Sequence, residues 1–336
     1  MRTTRRDGLA RNRRLLVAVA CGVFLLLFLR RALLVSFLAL KLAGYPAALD
    51  SWKGAVHHRS VEHAGIPIDI YGDDAFPSAL LIVHGVNPTG KNSLDLVRIA
   101  DGLAQSGFEV YVPDFAEMRK VHLTPAESLN IRNTFELIGR DAGIACFSYG
   151  CGPAMAAAAD ADIRDHVRFI LAFGGYFDIR EALEFLVTGP EPPVAYAKWA
   201  YLTANPDLAA DEIGRERIAR LFAAQTPGEF RARFSDLPHS TQARLAALSP
   251  ATFLAQLKAP LILVHGMDDP VIPSSQSVEF DRAARAKGLN SSVTLLRMYG
   301  HVNPVRPGFD VSSLIGFYLP DAFRLLRVVN RLVGYS

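Results

Sequence analysis

One serine stands in a sequence context that could make it a nucleophile. Ser148 lies in the segment Cys146–Gly150, after an apolar run and before an alanine-rich stretch. A sharp strand-to-helix turn exposes a serine hydroxyl to a base, and it needs small residues two positions before and two after the serine. Gly150 meets this need, and Cys146 is still small. The turn would also direct the Tyr149 backbone N–H at a developing anion, although a plain serine N-cap fits the same segment.

A candidate acid and a candidate base follow later apolar runs. Asp269 lies in an acidic turn, and His301 follows a glycine further along the chain. A carboxylate orients an imidazole and stabilises its protonated form, while the imidazole accepts the serine proton. The order Ser148, Asp269, His301 is the order expected when the nucleophile occupies such a turn. Asp268 is interpreted as a turn residue, and Asp178 remains the alternative acid.

The loop that begins with His84 and Gly85 follows another apolar run. A glycine turn there would present the Val86 backbone N–H beside that of Tyr149, and we predict that these two groups form an oxyanion hole. His84 is expected to brace the loop. The spacing of Gly85, Gly90 and Lys91 is also close to that of a phosphate-binding loop. The hydroxyl that such a loop needs directly after the lysine comes one residue late, at Ser93, so this alternative is weaker and stays open.

Strands must position these groups, and the sequence contains apolar runs bounded by turn residues, which are typical of strands. The predicted strands are Ile66–Tyr71, Ala79–Val83, Phe108–Val112, Gly143–Phe147, Val167–Phe173, Pro260–Val264 and Val293–Met298. Helix-compatible stretches fall between or after them, at Leu94–Ser106, Ala126–Gly139, Pro153–Ala161, Ser274–Lys287 and Val311–Tyr335. Continuous apolar strands alternating with helices predict an α/β fold with a mainly parallel sheet flanked by helices. The carboxyl ends of its strands would then share one edge.

The alternation stops between Ile179 and Pro250, where an aromatic, helix-compatible stretch separates two strands. We predict a helical cap insertion there that shapes an apolar acyl or alcohol pocket over the site. The predicted organisation is a basic arm with a membrane or signal segment at 1–50, a core at 51–178, the cap at 179–250 and the rest of the core at 251–336.

The first fifty residues resemble a membrane anchor or signal segment. Six arginines precede the uncharged run Leu15–Leu29, and Arg30 and Arg31 separate it from the run Ala32–Leu40. The first run would be about 22 Å long as a helix, against roughly 30 Å of hydrocarbon. An uncleaved signal anchor with the body outside the cytoplasm is the preferred interpretation under the positive-inside rule. A cleaved signal leading to secretion, an interfacial hairpin and a cytoplasm-facing body are the alternatives.

Composition excludes several other classes of protein. The 336 residues are 50% hydrophobic and 21% charged, which is globular composition. The net charge of +3 comes from residues 1–50, where nine basic residues face two acidic ones, whereas the rest of the chain holds 27 basic and 31 acidic residues. A nucleic-acid partner is therefore not expected. Three cysteines are too few for a disulfide scaffold, and no residue spacing suggests a metal or cofactor.

Taken together, these motifs resemble the α/β-hydrolase superfamily, and more loosely bacterial dienelactone hydrolases and serine esterases. The resemblance covers roughly residues 55–327. It departs from the family pattern at Cys146, where a glycine is usual, and at Val86-Asn87-Pro88, where a glycine-rich run is usual. It implies acyl-enzyme chemistry on a small-molecule or lipid carboxylic ester, thioester or lactone or, more rarely, an amide. An acyltransferase with the same three residues and a membrane-tethered, inactive binding protein are the alternatives.

Overall fold

A computed structural model describes residues 25–26, 29–39, 41, 56–189, 205, 212–305 and 310–335. Its strands are β1 His58–His63, β2 Ile66–Tyr71, β3 Ser78–Val83, β4 Phe108–Pro113, β5 Ala142–Phe147, β6 Val167–Phe173, β7 Leu261–Gly266 and β8 Ser291–Leu296. They form one sheet in the order β1-β2-β4-β3-β5-β6-β7-β8. Each of the seven predicted strands is present within two residues of its expected ends, which confirms the predicted α/β architecture.

The sheet is parallel from β4 to β8 and antiparallel only at β1 and β2. Strands β3, β4 and β7 are buried along their whole length, as their continuous apolar sequences require when helices cover both faces. The register pairs Val83 with Cys146 and Phe173 with Val264. The carboxyl ends of β3, β5, β6 and β7 therefore lie side by side at one edge.

Strand β1 was not predicted, because its sequence is polar and mostly exposed. It is an edge strand that pairs only with β2, so it needs no apolar face. The connecting turn holds Ala64 at φ 51° and Gly65 at φ 77°, which is the backbone geometry of a tight two-residue hairpin.

Helices cover both faces of the sheet. They are α1 Leu94–Gln105, α2 Ala116–Arg119, α3 Glu127–Ile138, α4 Cys151–Ala158, α5 Ile179–Thr188, α6 Glu212–Phe222, α7 Pro227–Ser235, α8 His239–Ala246, α9 Pro250–Phe253, α10 Ser275–Ala286 and α11 Leu319–Val333. One apolar cluster joins α3 and α4 to the sheet, and a second joins α1 and α11 to it. Helix α11 packs on the sheet, and a short helical turn, Val311–Ser313, and a π-helix, Leu314–Tyr318, lead into it.

The described part of the insertion is helical, as the sequence predicts. Helices α7 and α8 pack on α5, and Phe222 and Phe230 are buried in the cluster that includes α3 and α4. Of the insertion, residues 190–204 and 206–211 lie outside the described residues. The division of the chain into a core and a cap therefore stays a prediction.

The second apolar run of the N-terminal region packs on the body. Residues 29–39 are helical, and Leu38 is fully buried beside α1 and α11. Arg31 donates hydrogen bonds to the Asn330 side chain and carbonyl at 2.9 Å, and Lys41 Nζ lies 2.5 Å from Asp101. Most of the first run, Leu15–Leu29, lies outside the described residues. Within the described ranges no helix combines the length and apolar character needed to cross a bilayer, so the predicted anchor has no support there.

Candidate active site

The backbone at Ser148 makes a sharp turn. Strand β5 ends at Phe147, one 3₁₀ turn spans Ser148–Gly150, and α4 begins at Cys151. Ser148 has φ 52°, in the left-handed region that costs an L-residue about 1–2 kcal/mol. Strain of this kind persists only where the surrounding structure enforces it, and it concentrates at functional sites.

Two glycines allow the surrounding backbone to approach this turn. A Cβ at Gly150 would lie 2.2 Å from the His84 carbonyl oxygen, and one at Gly85 would lie 3.1 Å from the Ser148 Cβ. The loop after β3 and the turn after β5 are therefore in direct contact. Cys146, which stands where the motif usually has glycine, is an ordinary buried strand residue between Val83 and Ala172. The sheet thus accommodates this departure.

The three sequence-predicted side chains lie within hydrogen-bonding distance of one another. Ser148 Oγ lies 2.6 Å from His301 Nε2, and His301 Nδ1 lies 2.7 Å from Asp269 Oδ2. The hydroxyl can donate to Nε2 while Nδ1–H donates to the carboxylate, so one neutral imidazole satisfies both contacts. The His301 side chain is 17% exposed and that of Asp269 is fully buried. A proton can therefore pass from the hydroxyl to the imidazole beside an ion that water does not screen.

Asp269 is held as a carboxylate by four donors. Its Oδ1 accepts the backbone N–H groups of Val271 at 2.8 Å and Ile272 at 2.9 Å. Its Oδ2 lies near His301 and 3.2 Å from His265 Nε2. Burial alone would raise the pKa of Asp269, but hydrogen bonds from the two histidines, the charge of His301 and the Ile272 amide lower it to about 2.

His265 is a site residue that sequence reasoning missed. It is fully buried at the end of β7, with Nε2 2.9 Å from the Ile272 carbonyl and Nδ1 2.7 Å from Ser277 Oγ. Both neighbours of Nε2, the carbonyl and the Asp269 carboxylate, are acceptors, so Nε2 carries the proton. His265 therefore ties the acidic turn to α10. The only sequence signal was a histidine four residues before the aspartate.

The alternative acids lie elsewhere. Asp268 is exposed to solvent. Asp178 caps α5, because its carboxylate accepts the Arg180 backbone N–H at 2.8 Å. Neither is hydrogen-bonded to His301, whereas Asp269 is. Within the described ranges no group of histidine, cysteine and acidic side chains could hold a metal ion.

His84 braces the loop after β3, as the sequence predicts. It is 3% exposed, its Nε2 lies 3.2 Å from the Phe115 backbone N–H, and its Nδ1 lies 2.7 Å from the Gly85 carbonyl. The amide can only donate, so Nδ1 carries the proton. Burial lowers the pKa of His84, which keeps it neutral. The loop is therefore fixed from beneath, and Val86 lines the cleft that contains Ser148.

The phosphate-loop alternative is not favoured by the structure. Lys91 Nζ lies 2.5 Å from Asp69 Oδ2, and Asp69 is 5% exposed. Burial opposes ionisation of Asp69, yet hydrogen bonds from Lys91 and Ser60 lower its pKa. Asp114 lies directly against Gly90. A lysine already paired with a carboxylate, in a loop that packs on a second one, is a poor site for a phosphate group.

Ser148 and His301 open into a cleft of about 1020 Å³, part of it open solvent. Its described lining comes from the loop after β3, from α1, from Phe147 and from the residues that follow His301. No described residue of the insertion lines it, because the described aromatic side chains Phe222 and Phe230 are buried in the core cluster. Tyr196, Trp199 and Tyr201 of the insertion lie outside the described residues, so the pocket expected over the site stays a prediction.

A mainly parallel sheet with a serine, histidine and aspartate joined at the carboxyl ends of its strands is the architecture of α/β hydrolases. Residues 80–312 match the model of the alpha/beta hydrolase family. This is more than half of the chain, so the protein belongs to that family and is a hydrolase. No curated protein matches the sequence significantly.

Solved structures of low sequence identity share the fold. The acylaminoacyl peptidase of Pyrococcus horikoshii aligns with a TM-score of 0.52 at 14% identity, over 83% of this chain and 41% of the peptidase. A puromycin-hydrolysing peptidase of Mycobacterium tuberculosis aligns with a TM-score of 0.52 at 17% identity, over 87% of this chain and 40% of the peptidase. An esterase of Pyrococcus furiosus aligns with a TM-score of 0.50 at 13% identity, over 86% of this chain and 95% of the esterase. This chain thus spans about two fifths of the peptidases, and the likeness extends to the fold alone.

Proposed function

We propose that this protein cleaves a carboxylic ester, thioester or lactone through an acyl-enzyme on Ser148. The observation that carries the proposal is the unbroken hydrogen-bonded series from the Ser148 hydroxyl through His301 to the buried Asp269 carboxylate. Ser148 is the nucleophile, His301 the general base and acid, and Asp269 the group that orients and stabilises the imidazolium.

In the first half-reaction, His301 Nε2 takes the hydroxyl proton as Ser148 Oγ bonds to the substrate carbonyl carbon. The carbonyl oxygen becomes an oxyanion, for which the backbone N–H groups of Val86 and Tyr149 are the proposed donors. When the tetrahedral intermediate collapses, the bond to the leaving group breaks. The imidazolium of His301 gives its proton to that alcohol or thiol, and an ester on Ser148 remains.

In the second half-reaction, water replaces the leaving group. His301 takes a proton from water as the water oxygen bonds to the acyl carbon, and a second oxyanion forms. Its collapse releases the carboxylic acid and returns the proton from His301 to Ser148 Oγ. Asp269 stays ionised throughout, because its pKa of about 2 lies far below that of an imidazole.

Activity-based labelling tests the proposal directly. A fluorophosphonate should label the full chain and the Ser128→Ala control, whose serine lies on α3 and bonds to the Pro125 carbonyl, and it should not label Ser148→Ala. Hydrolysis of p-nitrophenyl acetate should follow the same pattern, with a loss of at least 10³-fold in Ser148→Ala.

The other outcomes separate the alternatives. Absence of labelling with retained folding would contradict the proposal and favour a binding protein. Labelling that yields a new ester, rather than the free acid, when an alcohol is added would point to an acyltransferase. Full turnover by Ser148→Ala would remove Ser148 from the mechanism.

A further inference from the structure

A second cavity adjoins the cleft of Ser148. It lies between helix α1, helix α11 and the face of the sheet that these two helices cover. The described helices of the insertion pack on the opposite face, with α3 and α4. The space between the walls of this second cavity is about 780 Å³ when the part open to solvent is counted, but the centre of a water-sized sphere fits in only about 60 Å³ of it, so the cavity is narrow. Leu103 of α1, Leu171 of β6 and Leu325, Val328 and Leu332 of α11 are among its lining residues.

The cavity and the cleft share part of their lining. Ile99, Phe147, Val302 and Asp95 border both. Phe147 directly precedes Ser148 in the chain, and Val302 directly follows His301. Among the described residues, these four side chains therefore border the path from a carbonyl at Ser148 into the cavity.

The chemistry of the described lining favours an uncharged, apolar ligand. The two cationic side chains among the described lining residues of the cavity are already paired, Lys41 with Asp101 at 2.5 Å and Arg98 with Asp95. The remaining lining is almost wholly aliphatic or aromatic. Apolar cavities of this kind stay dry and take up apolar ligands. The small cross-section fits an alkyl chain better than a ring.

The order of the two half-reactions distinguishes the acyl side from the alcohol side. The leaving alcohol must depart before water can reach the acyl carbon, so it needs a direct path to solvent. The acyl group stays on the serine through both steps and can remain buried. An apolar cavity beneath α11 suits the acyl group, and the open cleft suits the alcohol.

We propose that this cavity binds the acyl chain, so that the substrates are esters of linear fatty acids longer than acetate. This inference rests on the acyl-enzyme mechanism proposed above. Because each buried methylene is worth about a fourfold factor, kcat/KM should rise by up to that amount per added methylene until the cavity is filled.

The first experiment varies the two halves of the ester separately, using p-nitrophenyl esters from acetyl to hexadecanoyl and butyrate esters from methyl to octyl. We expect kcat/KM to rise with the length of the acyl chain and to stay constant as the alcohol is lengthened. A fall in kcat/KM from acetyl onward, or a rise confined to the alcohol series, would overturn the proposal.

The second experiment blocks the passage. Ile99→Trp should lower the ratio of octanoyl to acetyl kcat/KM at least tenfold, because the indole would fill the border between cleft and cavity. Leu94→Trp is the matched control on the same helix: Leu94 is 81% exposed, borders neither space, and should leave the ratio unchanged. Val328→Phe, deep in the cavity, should also lower the ratio, and Leu332→Ala should move the optimum to longer chains.

These results are separable from those on the reaction itself. Wild-type protein that neither reacts with a fluorophosphonate nor hydrolyses the acetyl ester contradicts the proposed function. Wild-type protein that does both, together with labelled variants whose octanoyl-to-acetyl ratio equals that of Leu94→Trp, refutes the acyl-chain site alone.

Discussion

The left-handed backbone of Ser148 predicts that glycine is more stable than alanine at this position, which reverses their usual order in a helix. Both Ser148→Ala and Ser148→Gly remove the hydroxyl and its bond to His301, so both should be inactive. They differ in whether a Cβ remains at φ 52°. Alanine keeps a left-handed cost of about 1–2 kcal/mol. Glycine removes this cost and adds about 0.5–1 kcal/mol of backbone entropy. Ser148→Gly should therefore be more stable than Ser148→Ala by about 1 kcal/mol.

Ser313 supplies the matched control. It lies in the helical region at φ −63°, and its backbone N–H is bonded to Asp310. Here glycine should be less stable than alanine by about 0.5–1 kcal/mol. The assay is reversible urea unfolding of the four variants, with the free energy of unfolding taken at a common m-value.

A particular result would refute the reasoning. If alanine is the more stable residue at both positions, the turn at Ser148 does not hold the strained conformation, and the exposed nucleophile has another origin. Equal stability of the two Ser148 variants, with the expected difference at Ser313, would mean that the surrounding packing relieves the strain on its own.

Three further predictions concern the groups around the site. Asp269→Asn should lower kcat about 10³–10⁴-fold at neutral pH. Because the folded pKa of Asp269 lies below its unfolded value, its stabilisation is complete only above about pH 5 and is lost progressively as the pH falls to about 2. Wild type should lose about 2 kcal/mol relative to Asp269→Asn over that range in acid unfolding curves. Gly150→Ala should cost about 3 kcal/mol and abolish labelling, because the new Cβ meets the rigid His84 carbonyl. Lys91→Met should lower stability by about 2 kcal/mol in urea, since it strips the buried Asp69 of its ion pair, while ester turnover persists.

The sheet could be predicted from sequence wherever burial on both faces left a continuous apolar run. Strands β3 and β7 are such runs, and their ends fell within two residues of expectation. Strand β1 failed because its stability comes from backbone pairing with β2 and from the turn at Ala64-Gly65, not from side-chain burial. Polar edge strands carry no periodic signal, so only the turn could have indicated it.

The proposed catalytic trio could be predicted because the carboxyl ends of parallel strands lie along one edge of the sheet. Ser148, Asp269 and His301 each follow a predicted strand, and topology alone places them at one edge. His265 could not be found this way. Its role depends on the three-dimensional path of the acidic turn, which brings the Ile272 carbonyl and Ser277 to the two nitrogens of its ring.

The apolar pocket expected over the site stays a prediction, because residues 190–204 and 206–211 of the insertion lie outside the described residues. Aromatic content in the insertion indicates burial but not the direction in which the side chains point, and the described ones point into the core. The cavity beside the cleft arises instead because α11 and α1 cover the sheet without filling the space between Leu103 and Val328. Such a gap depends on side-chain volumes across three elements and leaves no pattern in any one of them.

The cavity and the proposed catalytic residues are adjacent along the chain. Phe147 and Ser148 are adjacent across the strained turn, and His301 and Val302 are adjacent in the loop after β8. An acyl chain bound in the cavity would contact Phe147 and Val302, whose neighbours Ser148 and His301 must align for the proposed proton transfer. Acyl length should then affect kcat as well as KM, because binding energy from the distant end of the chain can fix the 2.6 Å contact between Oγ and Nε2.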